Sequence, residues 1–415
     1  MAVAVAMVGG GAALLSAILI ELSVPVVLYL ALARVFAGNP HLQVAVTRRE
    51  GGGKVTEGGN IEVEVTATNK GSWVPLLLVN DWVPPGLKVT RGSEGGYASL
   101  QRGESVVLRY VVVADAPGSW ELGPLTARAE DGFGLTSRSA TLDVPFVLDS
   151  LPRVDARIHF PFRPLRTKNW PGQVVSPRAG TGLDFYGLRQ YVPSDPARAV
   201  NWKASARLGK LYSNQYMGEL GAESVLVVDK SSESDFGTSP ASALDYVERC
   251  AAGVARGLVL SGNSLGLLVF GERTREISPR TGRRQLERIL LELVRAEKGP
   301  VATYPYLPTY LSHFFPRSAQ VIVVSSLMDP DFVEPLLVLG ARRDVRIISP
   351  ALPVPRPGPA LTDSEEAATK LLRLQRWTTL ERLRKRTMVA EWDVTGPIES
   401  ALGRVLYERR LAVVR

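Results

Sequence analysis

Residues 182–231 read GLDFYGLRQYVPSDPARAVNWKASARLGKLYSNQYMGELGAESVLVVDKS. A basic, aromatic-studded segment runs here into a short apolar strand, Val225–Val228, that ends in Asp229-Lys230-Ser231. A continuous apolar run this short, bounded by polar residues, suits a strand buried on both faces. A carboxylate and a hydroxyl two residues apart at its C-terminal tip are what an open α/β sheet presents to a ligand or cation.

The chain downstream keeps the rhythm of alternating strands and helices. Leu244, Val247, Ala251, Val254 and Leu258 recur at helical spacing, with Ser239-Pro240 as the expected cap and first-turn proline. Leu265–Phe270, Val321–Val324 and Val345–Ile348 are the next strands, and 389–394 a possible last one. Helices are expected around Leu286–Leu293, Phe332–Arg342, Ser364–Arg386 and Ile398–Arg410. Such alternation requires crossover connections, so a doubly wound, mostly parallel sheet covered by helices on both faces is predicted.

Upstream the pattern is different. Ile61, Val63, Val65 and Ala67 alternate with Glu62, Glu64, Thr66 and Thr68, giving one buried and one wet face. Further strands at Val106–Val113 and Leu142–Val147, separated by Pro84-Pro85-Gly86, Gly95-Gly96, Pro117-Gly118 and Asp131-Gly132, predict an all-β, immunoglobulin-like sandwich. Residues 2–20 carry no charge, and a second apolar run, Leu22–Ala33, follows Glu21. A bilayer span needs about 20 apolar residues, so a single transmembrane helix or a helical hairpin is expected. No Lys or Arg precedes the run, against a cleaved signal. Arg34, Arg48, Arg49 and Lys54 all follow it, which by the positive-inside rule puts the soluble part in the cytoplasm. The expected organisation is therefore a membrane anchor (1–38), a β-sandwich (39–150), a basic extension (151–221) and an α/β domain (222–415).

The net charge is +8, and residues 151–220 hold eleven Lys or Arg against four Asp or Glu, so most of the excess sits in the extension. A basic patch could meet nucleic acid, anionic lipid or an acidic protein surface, or be paired internally. The aromatics are irregularly spaced and match no nucleic-acid-binding motif, so no nucleic-acid partner is expected. Within the extension, Asp195 in its Pro-Ser-Asp-Pro turn is expected to bond nearby backbone, and Trp202 to pack the segment against the sheet. Arg189, Arg198, Lys203 and Arg207 are the candidate partner-binding residues.

The pieces LDFYGLRQY, VPSD and Arg198 with Asn201-Trp202-Lys203-Ala204-Ser205-Ala206-Arg207 resemble the signature of the domain-of-unknown-function-58 family, whose members carry a von Willebrand factor A-like domain. Agreement weakens toward the end of the chain. Such domains often hold a divalent cation through an Asp-x-Ser-x-Ser run, a Thr on a second loop and an Asp after a later strand. The resemblance thus implies a Mg²⁺ site at Asp229, Ser231, Glu233, Thr281 and Ser326, degenerate because Glu233 replaces Ser and Ser326 replaces Asp. The alternative is that Asp229 and Ser231 only cap the next turn. Asp329, before Pro330, reads as a helix cap. The resemblance also implies a partner, a MoxR-type AAA+ ATPase.

Catalysis finds little footing. His41, His159 and His313 lie far apart, and Cys250 falls beside the apolar stripe of a helix, where a buried thiol is expected. The expected role is that of a membrane-anchored, non-enzymatic adaptor. The alternatives are an envelope-facing adhesion or assembly protein and a metal-dependent hydrolase using Asp229 and Glu233.

Overall fold

The computed structural model describes residues 17–36, 43–50, 52–132, 137–154, 168–221, 223–317, 319–351, 362–396 and 398. The chain divides into two compact units, one of residues 1–115 with 119–150, the other of 116–118 with 151–415. In the first, helix α1 (Ala17–Phe36) runs unbroken through Glu21 and Pro25. It joins the end of the first apolar run to the whole of the second, so no hairpin turn forms between them. Residues 2–16, most of the first run, lie outside the described residues. Among the described residues no helix is long and apolar enough to cross a membrane.

Eleven strands follow: β1 (Val44–Glu50), β2 (Lys54–Thr56), β3 (Asn60–Asn69), β4 (Val74–Asp81), β5 (Leu87–Gly92), β6 (Gly95–Leu100), β7 (Ser105–Ala114), β8 (Gly118–Leu122), β9 (Leu125–Glu130), β10 (Ser137–Leu142) and β11 (Phe146–Leu151). They form sheets in the orders β1-β3-β7-β5, β10-β9-β4-β6 and β2-β11-β8. The period-two pattern of β3 is realised: Ile61, Val63, Val65 and Ala67 are buried in one core with Leu77, Val79, Ala127 and Leu148. A charged staple crosses this core. The Asp81 carboxylate accepts from the Arg48 guanidinium and from the Tyr110 hydroxyl at 2.5 Å, while Arg48 also donates to the carbonyls of Leu122 and Val144. Arg48 and Asp81 side chains are both nearly sealed from water. Burial first, and then the Asp81 contact, pushes the Tyr110 phenol well above its ordinary range.

The second unit holds two sheets. One is a ribbon of β12 (Lys168–Gln190) and β13 (Tyr212–Gly221), linked across its open end by helix α2 (Trp202–Leu208). The other has six strands, β14 (Glu223–Asp229), β15 (Ser264–Phe270), β16 (Arg275–Arg280), β17 (Gln320–Val324), β18 (Val345–Ala351) and β19 (Met388–Asp393), in the order β16-β15-β14-β17-β18-β19. All neighbours run parallel except β15 and β16. Four residues, 271–274, join those two, too few for a crossover, so the chain can only turn back. Sequence reading missed β16 because REISPR lacks an apolar run. Between strands lie α3 (Ala243–Leu260), α4 (Arg283–Arg295), α5 (Leu307–Phe314), α6 (Val333–Gly340) and α7 (Asp363–Arg384). The sheet is buried on both faces, with α3 and α4 over one core and α5 and α6 over the other. The predicted α/β architecture is thus present with a mixed sheet, and the helix expected at 398–410 falls almost wholly outside the described residues.

Helix α3 starts later than Ser239-Pro240 suggested. Ser242 and Asp245 exchange side-chain-to-backbone hydrogen bonds in a capping box, satisfying two helix-end donors at once. Cys250 is buried on this helix, as its place beside the apolar stripe implied, and burial raises its thiol.

Truncating the sandwich staple tests its weight. Asp81→Ala leaves a buried guanidinium and a buried phenol without their acceptor, and is expected to destabilise the sandwich by about 3–5 kcal/mol. Hydrogen-exchange protection in β4 and β7 would drop accordingly, and unchanged protection would show that water or another acceptor takes over.

Candidate functional site

Asp229 ends the central strand at the point where the order reverses, β15 lying on one side and β17 on the other. In open α/β sheets this is where a ligand crevice forms. Here the crevice is filled by the protein itself. Asp229 is fully buried. Its Oδ1 accepts from the Ser231 amide at 2.9 Å and the Tyr304 hydroxyl at 2.6 Å. Its Oδ2 accepts from the hydroxyls of Ser234 and Ser325, both at 2.6 Å. A carboxylate offers about four acceptor directions, and four donors occupy them.

The surrounding loops are held just as tightly. Ser231 Oγ donates to Asp329 at 2.8 Å and accepts from the Glu233 amide at 3.1 Å. Asp329 does cap the turn Pro330–Phe332, accepting from the Asp331 amide at 3.0 Å, but its second oxygen also serves Ser231. Ser326 Oγ donates to the Ser234 carbonyl at 2.8 Å. The Ser232 amide donates to the Gly299 carbonyl and the Glu272 amide to the Glu297 carbonyl, laying residues 297–299 across the edge. Gly271 is required beneath them, because a Cβ there would stand 2.3 Å from the Glu297 carbonyl oxygen. Leu327, just past Ser326, holds φ of 59°, a left-handed conformation costly for a branched side chain. Its amide donates to Ser325 Oγ and its side chain is buried, which holds the strained turn in place. From α7, Arg376 donates to Ser326 O, Pro350 O and Ser349 Oγ, covering the ends of β17 and β18.

The five residues expected to hold Mg²⁺ do not converge. Asp229, Ser231 and Ser326 share the edge, each already committed to internal partners. Glu233 is exposed. Thr281 stands at the opposite edge, because β16 runs back along β15 and pairs Arg280 with Leu265 near the start of that strand. The hydroxyl arriving from the second segment is instead that of Tyr304, whose ring packs at a tilt against Phe332 with centroids 4.5 Å apart. Among the described residues no group of three His, Cys, Asp or Glu could hold a metal ion. As arranged, these residues do not fit a cation. Of the two carboxylates named for the hydrolase alternative, Asp229 is buried and Glu233 is exposed.

Electrostatics follow the burial. Loss of water raises the Asp229 carboxyl, against hydrogen bonds from Ser234, Ser325, Tyr304 and Ser231 that lower it. A carboxyl raised on folding contributes most in acid, and that contribution fades as pH climbs through the raised value. Burial, then the neighbouring Asp229 charge, raises the Tyr304 phenol. Next along the chain, Lys230 is buried too. Its ammonium pairs with Glu248 at 2.6 Å and donates to the Leu293 carbonyl, near the negative end of α4. Burial raises Glu248, with the Lys230 charge opposing.

The basic extension is built on a different plan. Asp195 is its organiser. It accepts from the Arg189 guanidinium, the Val192 amide at 3.2 Å and Ser213 Oγ at 2.9 Å. Partial burial works against its charge, but these three donors together hold its carboxyl below the ordinary range. That contribution is present above the ordinary range and is lost as pH falls. Arg189 is thereby engaged internally, although its side chain stays 38% exposed. Asn201 caps α2, accepting from the Ala204 amide at 2.9 Å and donating to Asn214, and Gly209 ends the helix in the left-handed region at φ of 67°. Trp202 does not pack inward as expected; its side chain is 68% exposed. It occupies the first turn, and the residue of α2 that turns inward is Ser205, bonded to the Tyr212 amide. Arg198, Lys203 and Arg207 are exposed, with no partner among the described residues.

Residues 187–392 match the family described as "Protein of unknown function DUF58", a span that takes in the extension from Gly187 and the sheet as far as β19. Uncharacterized proteins of Mycobacterium tuberculosis and Mycobacterium bovis are 27% identical over 174 residues, covering 41% of this chain and 55% of theirs. The chain thus spans about half the length of the curated relatives it matches. Among solved structures, a FixG-related protein from Vibrio parahaemolyticus covers 26% of this chain and 95% of its own, at TM-score 0.19 and 10% identity. The cupredoxin domain of amoB from Nitrosocaldus yellowstonii covers 28% and 92%, at TM-score 0.19 and 7% identity. Likenesses this low leave the fold to be argued from the chain's own sheets.

The saturated edge predicts a structural rather than a chemical penalty. Tyr304→Phe removes one donor to a buried carboxylate and is expected to cost about 1.5–3 kcal/mol. Asp229→Ala strands several buried hydroxyls and should cost about 3–5 kcal/mol. Chemical denaturation read by circular dichroism checks both; stability unchanged in Asp229→Ala would show that the network is dispensable.

Proposed function

We propose that this protein is a non-enzymatic adaptor whose von Willebrand A-like α/β domain displays a basic, tryptophan-bearing face to an acidic protein partner. The single observation that carries the reading is the state of α2. Lys203 and Arg207 sit four residues apart on one helix face, a like-charge spacing that destabilises a helix. From Pro196 to Gly218 the chain contains no Asp or Glu to offset them. Trp202 stands exposed beside them, on a scaffold fixed by Asp195, Asn201 and Gly209. Exposed aromatic and cationic side chains on a rigid support are the composition of a protein-binding hot spot. The docking set is Arg198, Lys203 and Arg207 with Trp202, and Arg189 serves by bracing the turn.

A von Willebrand A-like assignment for the sheet is supported by its order, with one antiparallel strand beside the β14-β15 pair, and by Asp229 and Ser231 at its switch point. The filled edge favours contact by shape and charge without Mg²⁺. The partner we favour is a MoxR-type AAA+ ATPase, on the resemblance carried by the extension. The uncharged run 2–20 and the cations that follow it favour a membrane anchor with the soluble units in the cytoplasm.

Purified full-length protein and a MoxR-type ATPase encoded in the same genome supply the test. Lys203→Glu with Arg207→Glu should weaken binding at least about tenfold, roughly 1.4 kcal/mol. Binding by the parent should fall as salt rises and stay unchanged with chelator. Equal affinity of the double variant would overturn the docking face, and loss of binding in chelator would overturn the metal-free reading.

A further inference from the structure

Helix α7 carries an apolar stripe that the described residues of the domain leave exposed. Its inner side docks through Arg376, Leu380 and Leu383, the last two buried in the core shared with α6. On the opposite side Leu371 and Leu374 are 66% and 59% exposed, and Trp377 on the flank is 59% exposed. Ala367 and Thr378, also exposed, extend the stripe. Residues 367, 371, 374 and 378 follow the four-three-four spacing of a coiled-coil seam. Large apolar side chains at that spacing on a solvent-facing helix mark a contact surface.

The charge pattern says what covers it. The first turn of α7 bears Asp363, Glu365 and Glu366, with no cation before Lys370. The far end bears Arg382 and Arg384, already paired with Glu334, Glu381 and Glu391, and beyond them Lys385 and Arg386. Lys385 and Arg386 are exposed and have no side-chain partner among the described residues. A parallel copy would set acids on acids and cations on cations. An antiparallel copy sets each acidic turn beside the other's basic end. With a two-fold axis midway between Leu371 and Leu374, each Leu371 meets the other chain's Leu374 and Ala367 meets Thr378. The pairing is isologous, so it closes on itself as a dimer.

We infer that α7 is a self-association helix, and that two copies of this chain pair antiparallel through Leu371 and Leu374. The surface is separate from α2, so adaptor binding and self-association stand or fall independently.

The test uses the full-length protein in its purified form. Sedimentation equilibrium at ~50 µM, a concentration suited to an interface of modest area, should give the mass of two chains. Leu371→Glu with Leu374→Glu should give one chain with the parent's circular-dichroism spectrum, since both positions are exposed. Orientation is read by mild oxidation of Ala367→Cys and Thr378→Cys proteins, the native Cys250 being fully buried and silent. The mixture should form a disulfide between the two variants, while neither variant alone links to itself. A parent that sediments as one chain would overturn the inference, as would a dimer untouched by the double glutamate variant. Self-linking of each single variant would replace the antiparallel pair with a parallel one.

Discussion

The Asp229 carboxylate is withdrawn from water at the tip of the central strand, where an uncompensated charge would cost several kcal/mol. Four donors offset that cost, and they come from three stretches of chain: Ser231 and Ser234 just beyond β14, Ser325 just beyond β17, and Tyr304 from the turn before α5. One side chain therefore ties the strand on which the sheet order reverses to the loops on both sides of it. The neighbouring bonds from Ser231 to Asp329 and from Ser326 to the Ser234 carbonyl repeat the device around it. The edge that an α/β sheet ordinarily leaves open is here a closed polar core.

That closure bears on whether a cation could sit at this edge. A cation requires free oxygen lone pairs and room for its water, and an edge whose carboxylate already accepts four hydrogen bonds supplies neither. Opening it would mean breaking bonds to a buried charge, unwinding the strained turn at Leu327 and lifting Arg376 from the ends of β17 and β18. Surface chemistry faces no such obstacle. The extension spends Asp195 and Arg189 on holding its own turn, and leaves Trp202, Arg198, Lys203 and Arg207 outward.

Much of this was legible in the sequence. Buried strands such as Val225–Val228 declare themselves by unbroken apolar runs, and β3 by strict alternation, because burial on two faces or one leaves those marks. Strand β16 left none: an edge strand with one buried residue, Ile277, reads as loop. Missing it carried Thr281 to the wrong end of the sheet, since only the reversal of direction at residues 271–274 reveals where that threonine lands. Tyr304 was beyond reach for another reason. It lies 75 residues from Asp229, and no local pattern announces a contact made by tertiary folding alone. Trp202 shows the reverse error, a large aromatic assigned to the interior on size. Asn201 and Gly209 mark a short capped helix around it, and in a helix of two turns the inward place went to Ser205.

The two units of charge in this chain obey opposite economies. Inside, at Asp229, at Lys230 with Glu248, and at Arg48 with Asp81, each ionised group has partners of matching geometry, and the arrangement fixes which loops meet. Outside, Arg198, Lys203 and Arg207 on and before α2 stand exposed with no partner among the described residues, whereas Arg382 and Arg384 near the end of α7 pair with Glu334, Glu381 and Glu391. Exposed cations beside Trp202 on α2, and exposed Leu371 and Leu374 on α7, are the features on which the two proposed contacts rest. The proposed acidic partner would bring both acid and apolar area to α2.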